Sequence, residues 1–586
     1  MNRLAAVKKK ILLIVLLLAA SAAIFLAGAP STEGDLYLDS GSYFRTLPFF
    51  HERSISWQKV RDVVLNNPYP GGKRFLPNLT FLLENYLVGF TASSGRWVNM
   101  AIHALNVLLV FFLLRRVLLL TGRREPEAGR GALAGSLLWG LNPFMADAVY
   151  YVIQRMTLMS TTFYLLAVLS YLRARETEGR KKWFWWAALA VSFTASVASK
   201  ENGVLIVLGI AVLELTVPSA PIDRAAPLRK YLALAAAFAA CSLLAMAFLG
   251  YNPVDVARGI LSPGVAREFT AGERLLTEGR VLVDYLSREI LPLPQRLSFV
   301  LKYRISRSPI DPPTTVLAWL AVVGLVFLAV RRRKQMPLFS LAVLWFFANH
   351  LLESTIIMLE IAFVHRNYLP TVFLFLPLTA WAASRREERK HFLAWSCVAL
   401  VLLLFTYGTH SRARVWGSPE RFWNDAVQKA PGSLRAYINL GILRDLAGRE
   451  EEALKIYEQA LRKGFEEKPG FWGDLYCNIG IALMDLGRYR EAEQYMEKSL
   501  TVSKNDFYLF NMARLQRHLK NPDRGLDALG ILEKNNPTFP GLHLLKAKLL
   551  ADMGRHTEAR VELVEELRLY PNNREARLLL RSYGAR

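Results

Sequence analysis

The sequence predicts an all-α protein in two parts: a polytopic bundle of about eleven membrane-spanning helices, then a water-soluble α-solenoid of repeated helix pairs. Two observations predict it. Up to about Thr409 the chain consists of long apolar runs broken by short basic clusters. After Ser411 charged and apolar residues mix, and no run is long enough to cross a bilayer. From Ser433 onward, small and large residues recur at fixed offsets, the mark of stacked helical units. The expected domains are 1–410 (membrane), 411–432 (linker and leading helix) and 433–586 (extracytoplasmic repeats). At 586 residues the chain exceeds one ordinary domain, and a mean hydropathy of +0.21 fits lipid as the solvent of the first part.

A helix crossing hydrocarbon needs roughly 20 apolar residues. Runs of about that length, several of them short, place spans near 11–28, 97–115, 131–149, 156–172, 184–199, 203–217, 231–250, 314–331, 337–352, 368–384 and 392–409. The basic clusters check the count. Lys8–Lys10 precede the first span. Arg115, Arg116, Arg123, Arg124 and Arg130 follow the second, and Arg173, Arg175, Arg180, Lys181 and Lys182 the fourth. Arg224, Arg229 and Lys230 follow the sixth, Arg331–Lys334 the eighth, and Arg385, Arg386, Arg389 and Lys390 the tenth. All fall on one side, which the positive-inside rule makes the cytoplasm. The N-terminus is then inside, and the repeats lie outside, in the periplasm of a Gram-negative cell. The first segment alternatively reads as a signal peptide with Ala27-Gly28-Ala29 near the cleavage point. Between about Tyr251 and Pro313, the stretch 276–300 alternates apolar and charged residues. It reads equally as a helix lying on the membrane surface or as a soluble loop.

In the first repeat Gly441, Ala453, Tyr457 and Ala460 stand at the offsets that Gly480, Ala492, Met496 and Ser499 repeat. Weaker copies are Ala513, Gly525, Leu529 and Leu532 with Pro537, then Ala547, Ala559 and Leu563 with Pro571. Small residues let paired helices approach, and the large one fills the space between units. This is tetratricopeptide-type spacing. Asp485–Tyr489 and Asp552–His556 are matching turns, and 574–583 reads as a terminal capping helix. Such stacks present a groove to a peptide or protein; the plainer alternative is that the array only stabilises or oligomerises the chain.

The net charge of +24 raises nucleic acid as a partner. Much of the excess sits in the topology clusters and no nucleic-acid motif accompanies it, so no such partner is expected. The three cysteines, Cys241, Cys397 and Cys477, form no CxxC and suggest neither a disulfide framework nor a zinc site.

Ionisable groups beside spans are costly and mark function. On the expected outer face they cluster: Asp35 and Asp39 after the first span, Lys73 and Arg74 in the same loop, and Gln154 and Arg155 opening the fourth span. Lys200, Glu201 and Asn202 form the turn between spans five and six, and Glu353, His365 and Arg366 precede span ten. His103 and Asn106 lie within span two. Guanidinium and ammonium groups hold phosphate oxygens, and a carboxylate can take the proton of an attacking hydroxyl. The plainer readings are topology arginines, a Lys200–Glu201 ion pair, and helix-to-helix hydrogen bonding by His103 and Asn106. No Ser-His-Asp set, Walker loop or metal-ligand spacing is present; a divalent metal is possible but not indicated.

Six segments in order carry a resemblance. They are Arg74-Phe-Leu-Pro-Asn-Leu-Thr-Phe81, Trp97-Val-Asn-Met-Ala-Ile-His-Ala-Leu-Asn106 and Leu141-Asn-Pro-Phe-Met-Ala-Asp through Gln154-Arg-Met156. Then follow Ser199-Lys-Glu-Asn-Gly203, Tyr285-Leu with Leu291-Pro292, and His365-Arg-Asn-Tyr-Leu-Pro370. With its repeats, the chain resembles the GT-C class of membrane glycosyltransferases, and within it the transmembrane and tetratricopeptide repeat O-mannosyltransferase family. The resemblance implies a GT-C-like bundle, a polyprenyl-phosphate-linked sugar donor, an extracytoplasmic active site and a catalytic acid in the first outer loop, carried here by Asp39. Ser40 stands where the family shows a second adjacent acid, and Val364 where it shows a Glu before His-Arg.

The expected function is transfer of a sugar from that donor to an acceptor hydroxyl on an exported protein held by the repeats. Asp39 is the expected base, with Asp35 second. Arg155, Lys200, Arg366, Arg74 and His365 are the expected donor-phosphate contacts, supported by Gln154, Glu201, Asn202 and His103. The alternatives are a surface-polysaccharide ligase or polymerase, and a non-enzymatic membrane scaffold for envelope assembly.

Overall fold

The computed structural model describes residues 22–37, 53–65, 74–217, 240, 269–357, 359–384, 388–465 and 469–583. Asp39, Lys73, most of the first expected span and nearly all of the seventh lie outside them. The described residues are helical and contain no β-strand, only an isolated bridge between Ser308 and Asp311. They fall into two compact units, divided between Asp425 and Ala426.

In the first unit four helices are long and apolar enough to cross a membrane: Ala92–Leu120, Val152–Glu176, Thr314–Arg332 and Arg389–Trp416. The first starts at a capping box, where Thr91 Oγ1 accepts from Ser94 N and Ser94 Oγ accepts from Thr91 N, both at 3.0 Å. The other apolar runs form the 19-residue helix Lys181–Ser199 and the shorter Ile206–Thr216, Pro337–His350 and Leu376–Ala383. At about 1.5 Å per residue, an 11-residue helix such as Ile206–Thr216 reaches about 16 Å, half the hydrocarbon thickness.

Two runs expected as single helices are broken. Residues 131–149 divide into Glu125–Gly140 and Ala146–Tyr150. Pro143 has no N–H to continue the first helix, and Asn142 Oδ1 accepts from Phe144 N at 3.0 Å instead. Residues 368–384 begin as turns and become helical only from Leu376.

The break is held from the far end of the unit. Arg412, near the end of the helix Glu388–Trp416, donates to Asp147 at 2.9 Å and to Asp425 at 2.7 Å, and Trp416 Nε1 donates to Asp147 at 2.6 Å. Thr409 Oγ1 donates to Leu141 O at 2.8 Å.

The stretch 276–300 is largely a capped helix, Ala271–Ile290. Its buried face carries Arg274, Glu278, Val281 and Tyr285. Gly279 lets Trp319 approach so closely that a Cβ would lie 2.6 Å from the indole Nε1, which donates to Leu276 O at 3.2 Å.

In the second unit the helices pair as Leu434–Leu446 with Glu450–Lys463, Pro469–Asp485 with Tyr489–Val502, Asp506–His518 with Pro522–Asn535, and Leu542–Asp552 with His556–Leu569. Arg574–Ser582 closes the stack. The repeat positions behave as their sizes require. Ala453, Tyr457, Ala460, Ala492, Met496 and Leu529 are fully buried. A Cβ on Gly441 would meet the Tyr457 ring at 2.1 Å. The hairpin turns place Gly448, Gly487 and Gly554 at positive φ, where the third unit puts Lys520 at φ +60°.

Candidate functional site

Four separate segments of the first unit converge on one polar cluster. Arg74 stands at the N-cap of the helix Phe75–Val88 and grips Glu201, with Nη2 to Oε2 at 2.8 Å and Nε to Oε1 at 3.1 Å. Glu201 opens the 3-10 turn Glu201–Leu205. The residue before it, Lys200, has extended backbone (φ −161°, ψ 145°). Its ammonium reaches Glu353 at 2.8 Å and Thr157 Oγ1 at 3.3 Å. Thr157 in turn donates to Gln154 Oε1 at 2.8 Å.

Lys200 and Glu201 therefore do not pair with each other, as adjacency in sequence suggested. The extended residue between helix and turn sends each to a partner from another segment. Asn202 lies half-buried in the same turn, and Gly203 is required there because a Cβ would fall 2.5 Å from Val197 N.

His365 and Arg366 share the 3-10 turn Val364–Asn367. Arg366 donates to Glu360 O at 2.7 Å and Ile361 O at 3.0 Å. His365 is buried, stacks on Phe363 with centroids 5.0 Å apart, and its Nδ1 has no hydrogen-bond partner.

These groups lie in connections outside the expected spans, and their ionisation follows from their neighbours. Burial alone raises the Glu353 carboxyl, but Lys200 and then Arg366 outweigh it and hold the group well below the carboxylate range. Burial followed by the Lys200 charge pushes the His365 imidazole well down, so it is neutral at physiological pH. Burial raises Glu201 as well, and its ion pair with Arg74 overcomes that and lowers it. Glu278 goes the other way. Burial outweighs Arg274 and Arg366, and its carboxyl is pushed up to about 7. Arg274 fixes the connection that carries Glu353, donating to the carbonyls of Glu353 (2.7 Å), Thr355 (2.9 Å), Leu359 (2.6 Å) and Glu360 (3.0 Å).

Other expected residues fall into separate groups. Arg155 is fully buried and saturated: Nη2 meets Glu84 at 2.6 Å, Nε meets Asn99 Oδ1 at 3.1 Å, and the guanidinium lies 4.0 Å from the centroid of Phe81. Asp35 sits in the segment after the 3-10 turn Ala29–Glu33. Arg96 pins that segment by donating to Gly34 O at 2.7 Å and to Asp35 O. Tyr37 anchors it further, its hydroxyl donating to Trp416 O at 3.0 Å and its ring stacking on Phe422 at 4.7 Å. His103 bonds Tyr368 OH at 2.6 Å and Gly140 O at 2.8 Å, and Asn106 donates to the same hydroxyl at 3.2 Å. These are the helix-to-helix ties of the plainer reading.

The sequence did not single out Glu84, Arg274 or Glu278. Each looks like an ordinary charge in an outer connection until its partner is known.

Among the described residues, Glu533, His543 and Glu562 of the second unit could hold a metal ion. The Lys546 ammonium already lies 3.0 Å from Glu533 and 2.7 Å from Glu562, so a cation is present at that position without a metal.

Family models for the tetratricopeptide repeat match residues 436–469, 473–506 and 510–574, and these fall on the helix pairs of the second unit. The chain is similar to the protein O-mannosyl-transferase TMTC3 of Homo sapiens, with 24% identity over 85% of this chain and 58% of the relative. It is similar to Tmtc3 of Drosophila melanogaster, with 25% identity over 72% of this chain and 51% of the relative. The relatives are thus members of the family that the sequence resembles, and the chain spans just over half of their length. Among solved structures, the tetratricopeptide repeat protein YrrB, titled as having an unusual peptide-binding site, matches with 19% identity over 30% of this chain and 84% of its own, at a TM-score of 0.24.

Proposed function

We propose that this protein is a membrane glycosyltransferase. It moves a sugar from a polyprenyl-phosphate donor to an acceptor hydroxyl of an exported protein, at the outer face of the inner membrane. Asp39, or Asp35 in its place, takes the hydroxyl proton. The freed oxygen attacks the anomeric carbon, the bond from that carbon to the phosphate oxygen breaks, and polyprenyl phosphate leaves. One displacement with no enzyme nucleophile inverts the anomeric centre.

Lys200, Arg366, Arg74 and His365 hold the phosphate. Arg155, committed to Glu84 and Asn99, is a positioning residue for the wall beside them. The observation that carries this reading is the convergence of Arg74, Lys200, Glu201, Glu353, His365 and Arg366 from four segments. The O-mannosyl-transferase names of the relatives add to it.

The test compares intact masses of exported proteins from a deletion strain complemented with wild type, Asp39→Asn or Lys200→Met. Loss of a discrete sugar mass in both variants, at normal protein abundance, is the expected result. An unchanged mass profile overturns the protein-acceptor reading.

A further inference from the structure

Glu278 is fully buried on the helix Ala271–Ile290, and among the described residues neither of its carboxyl oxygens receives a hydrogen bond. Arg274 Nη2 lies 2.7 Å from Oε1, but the N–H groups of that guanidinium are aimed at the four carbonyls described above. Besides Arg274, the groups that face the carboxyl are Ser354, Glu353, Arg366 and, from its own helix, Tyr285. Ser354 carries the contact onward. Its N–H donates to His350 O at 2.8 Å, and its Oγ lies 3.5 Å from His350 Nδ1. Two rings hold the imidazole: Tyr285 stacks on it with centroids 5.6 Å apart, and Phe346 packs at 4.6 Å. The imidazole faces Asn367, and among the described residues its Nε2 makes no hydrogen bond. Asn367 closes the turn that carries His365 and Arg366, and gives its Nδ2 to Val364 O at 3.2 Å.

Nothing in packing these helices asks for this line. A carboxyl sealed from water without a hydrogen bond costs stability, and an apolar residue at 278 avoids that cost. What the line has is continuity. Carboxyl, hydroxyl and imidazole each give and take protons. Here they run from one helix to the turn that carries two of the groups assigned to the donor phosphate. Burial keeps the proton on Glu278 up to about pH 7.

The proposed transfer has a use for such a proton. The donor is a phosphodiester with one negative charge. When the bond from the anomeric carbon breaks, its electron pair stays on the phosphate oxygen, and the product is a monoester dianion with a second pKa of about 6. The acceptor's proton has gone to the carboxylate of the first outer loop. Lys200, Arg366 and Arg74 then hold two charges where they held one, and release is opposed. A proton from Glu278 returns the product to one negative charge and leaves a carboxylate beside Arg274 and Arg366.

We infer that Glu278, Ser354 and His350 form a buried chain that delivers a proton to the phosphate of the lipid monoester product. Ser354 takes the Glu278 proton as it gives its own to His350 Nδ1, and His350 gives the proton on Nε2 to a phosphate oxygen. A proton taken from water at Nε2 then resets all three groups. This rests on the reading of Lys200, Arg366, Arg74 and His365 as phosphate contacts.

The test is calorimetric titration of the full chain in detergent with farnesyl phosphate at pH 8. Two buffers of different ionisation enthalpy give the number of protons taken up. The expected result is about one proton per monoester bound, about none in Glu278→Gln or His350→Phe, and well under half a proton for methyl farnesyl phosphate, a diester. Both variants should bind the diester as wild type does, which shows that fold and phosphate contacts are intact. Uptake that persists in Glu278→Gln puts the proton on another group such as His365, and uptake that persists in His350→Phe means that no chain is needed; either overturns the inference. The wild-type count needs no variant, so misfolding cannot mimic it. Monoester binding that ignores Lys200→Met, or no binding at all, overturns the phosphate-site reading and the inference with it. Binding that needs Lys200 but takes up no proton overturns the inference alone.

Discussion

Arg155 and Glu84 of the membrane unit meet at 2.6 Å with side chains 0% and 5% exposed; Arg488 and Glu491 of the repeat unit meet at the same 2.6 Å with 49% and 54% exposed. Equal geometry has different consequences in the two places. The buried pair has given up hydration that only its partner and neighbours replace, so it specifies one arrangement of its helices and fails badly if half of it is lost. The exposed pair keeps its water and, without Glu491, Arg488 simply rehydrates. Lys200 with Glu353 and Arg412 with Asp147 are of the first kind. Arg555 with Glu558 and Arg568 with Glu565 are of the second. The repeat unit is held by its alanines, tyrosines and leucines, while the membrane unit spends its rarest residues on holding its connections in place.

The largest effect expected from this contrast lies at Glu84 and Arg155. Arg155→Met alone should destabilise the membrane unit by about 3–5 kcal/mol, and Arg155→Met with Glu84→Leu should recover most of that, because no charge is left stranded. Chemical denaturation of the purified protein reads both. A single variant costing no more than the double erases the contrast.

A smaller effect concerns Glu278. Folding raises its pKa to about 7, through burial that outweighs Arg274, Arg366 and Ser354 and is reinforced by Glu353. The folded state therefore keeps a proton that the unfolded chain releases. The stabilisation is complete below the ordinary carboxylate pKa and is lost as pH rises through about 7. The melting midpoint should fall by about 4 °C between pH 5 and pH 8, and Glu278→Gln should flatten the profile. A wild-type midpoint that rises over that range refutes the assignment.

The smallest expected effect is at the surface. Arg488→Gln should leave the melting curve of the protein unchanged within error, at low and high salt alike. A clear loss of stability there means that the repeat unit, too, relies on its ion pairs.

Much of this architecture was legible from period alone. The run 314–331 became Thr314–Arg332, the run 97–115 lies inside Ala92–Leu120, and the offsets from Gly441 to Ala460 predicted which side chains are buried. What was not legible was whatever depends on a partner far away in sequence. The run 131–149 read as one span; its break at Pro143 is held by Asp147 meeting Arg412, 265 residues on. Lys200 and Glu201 looked like each other's counterions because proximity in sequence was the only proximity available. Glu84 looked solvated because nothing near it in sequence is basic. The polar cluster was recognisable by residue type and by order along the chain; its pairing required the fold. Asp39, the residue that the resemblance favours as base, lies outside the described residues.

The 265 residues between Asp147 and Arg412 are also an interval of time. At roughly 5–20 residues per second of synthesis, Asp147 leaves the ribosome about 13–53 s before its counterion exists. For that period the connection at Asn142-Pro143 has to keep its carboxylate hydrated. The elbow is therefore among the last parts of the bundle to set, and a nascent chain stopped short of Arg412 carries an acid with nowhere to go.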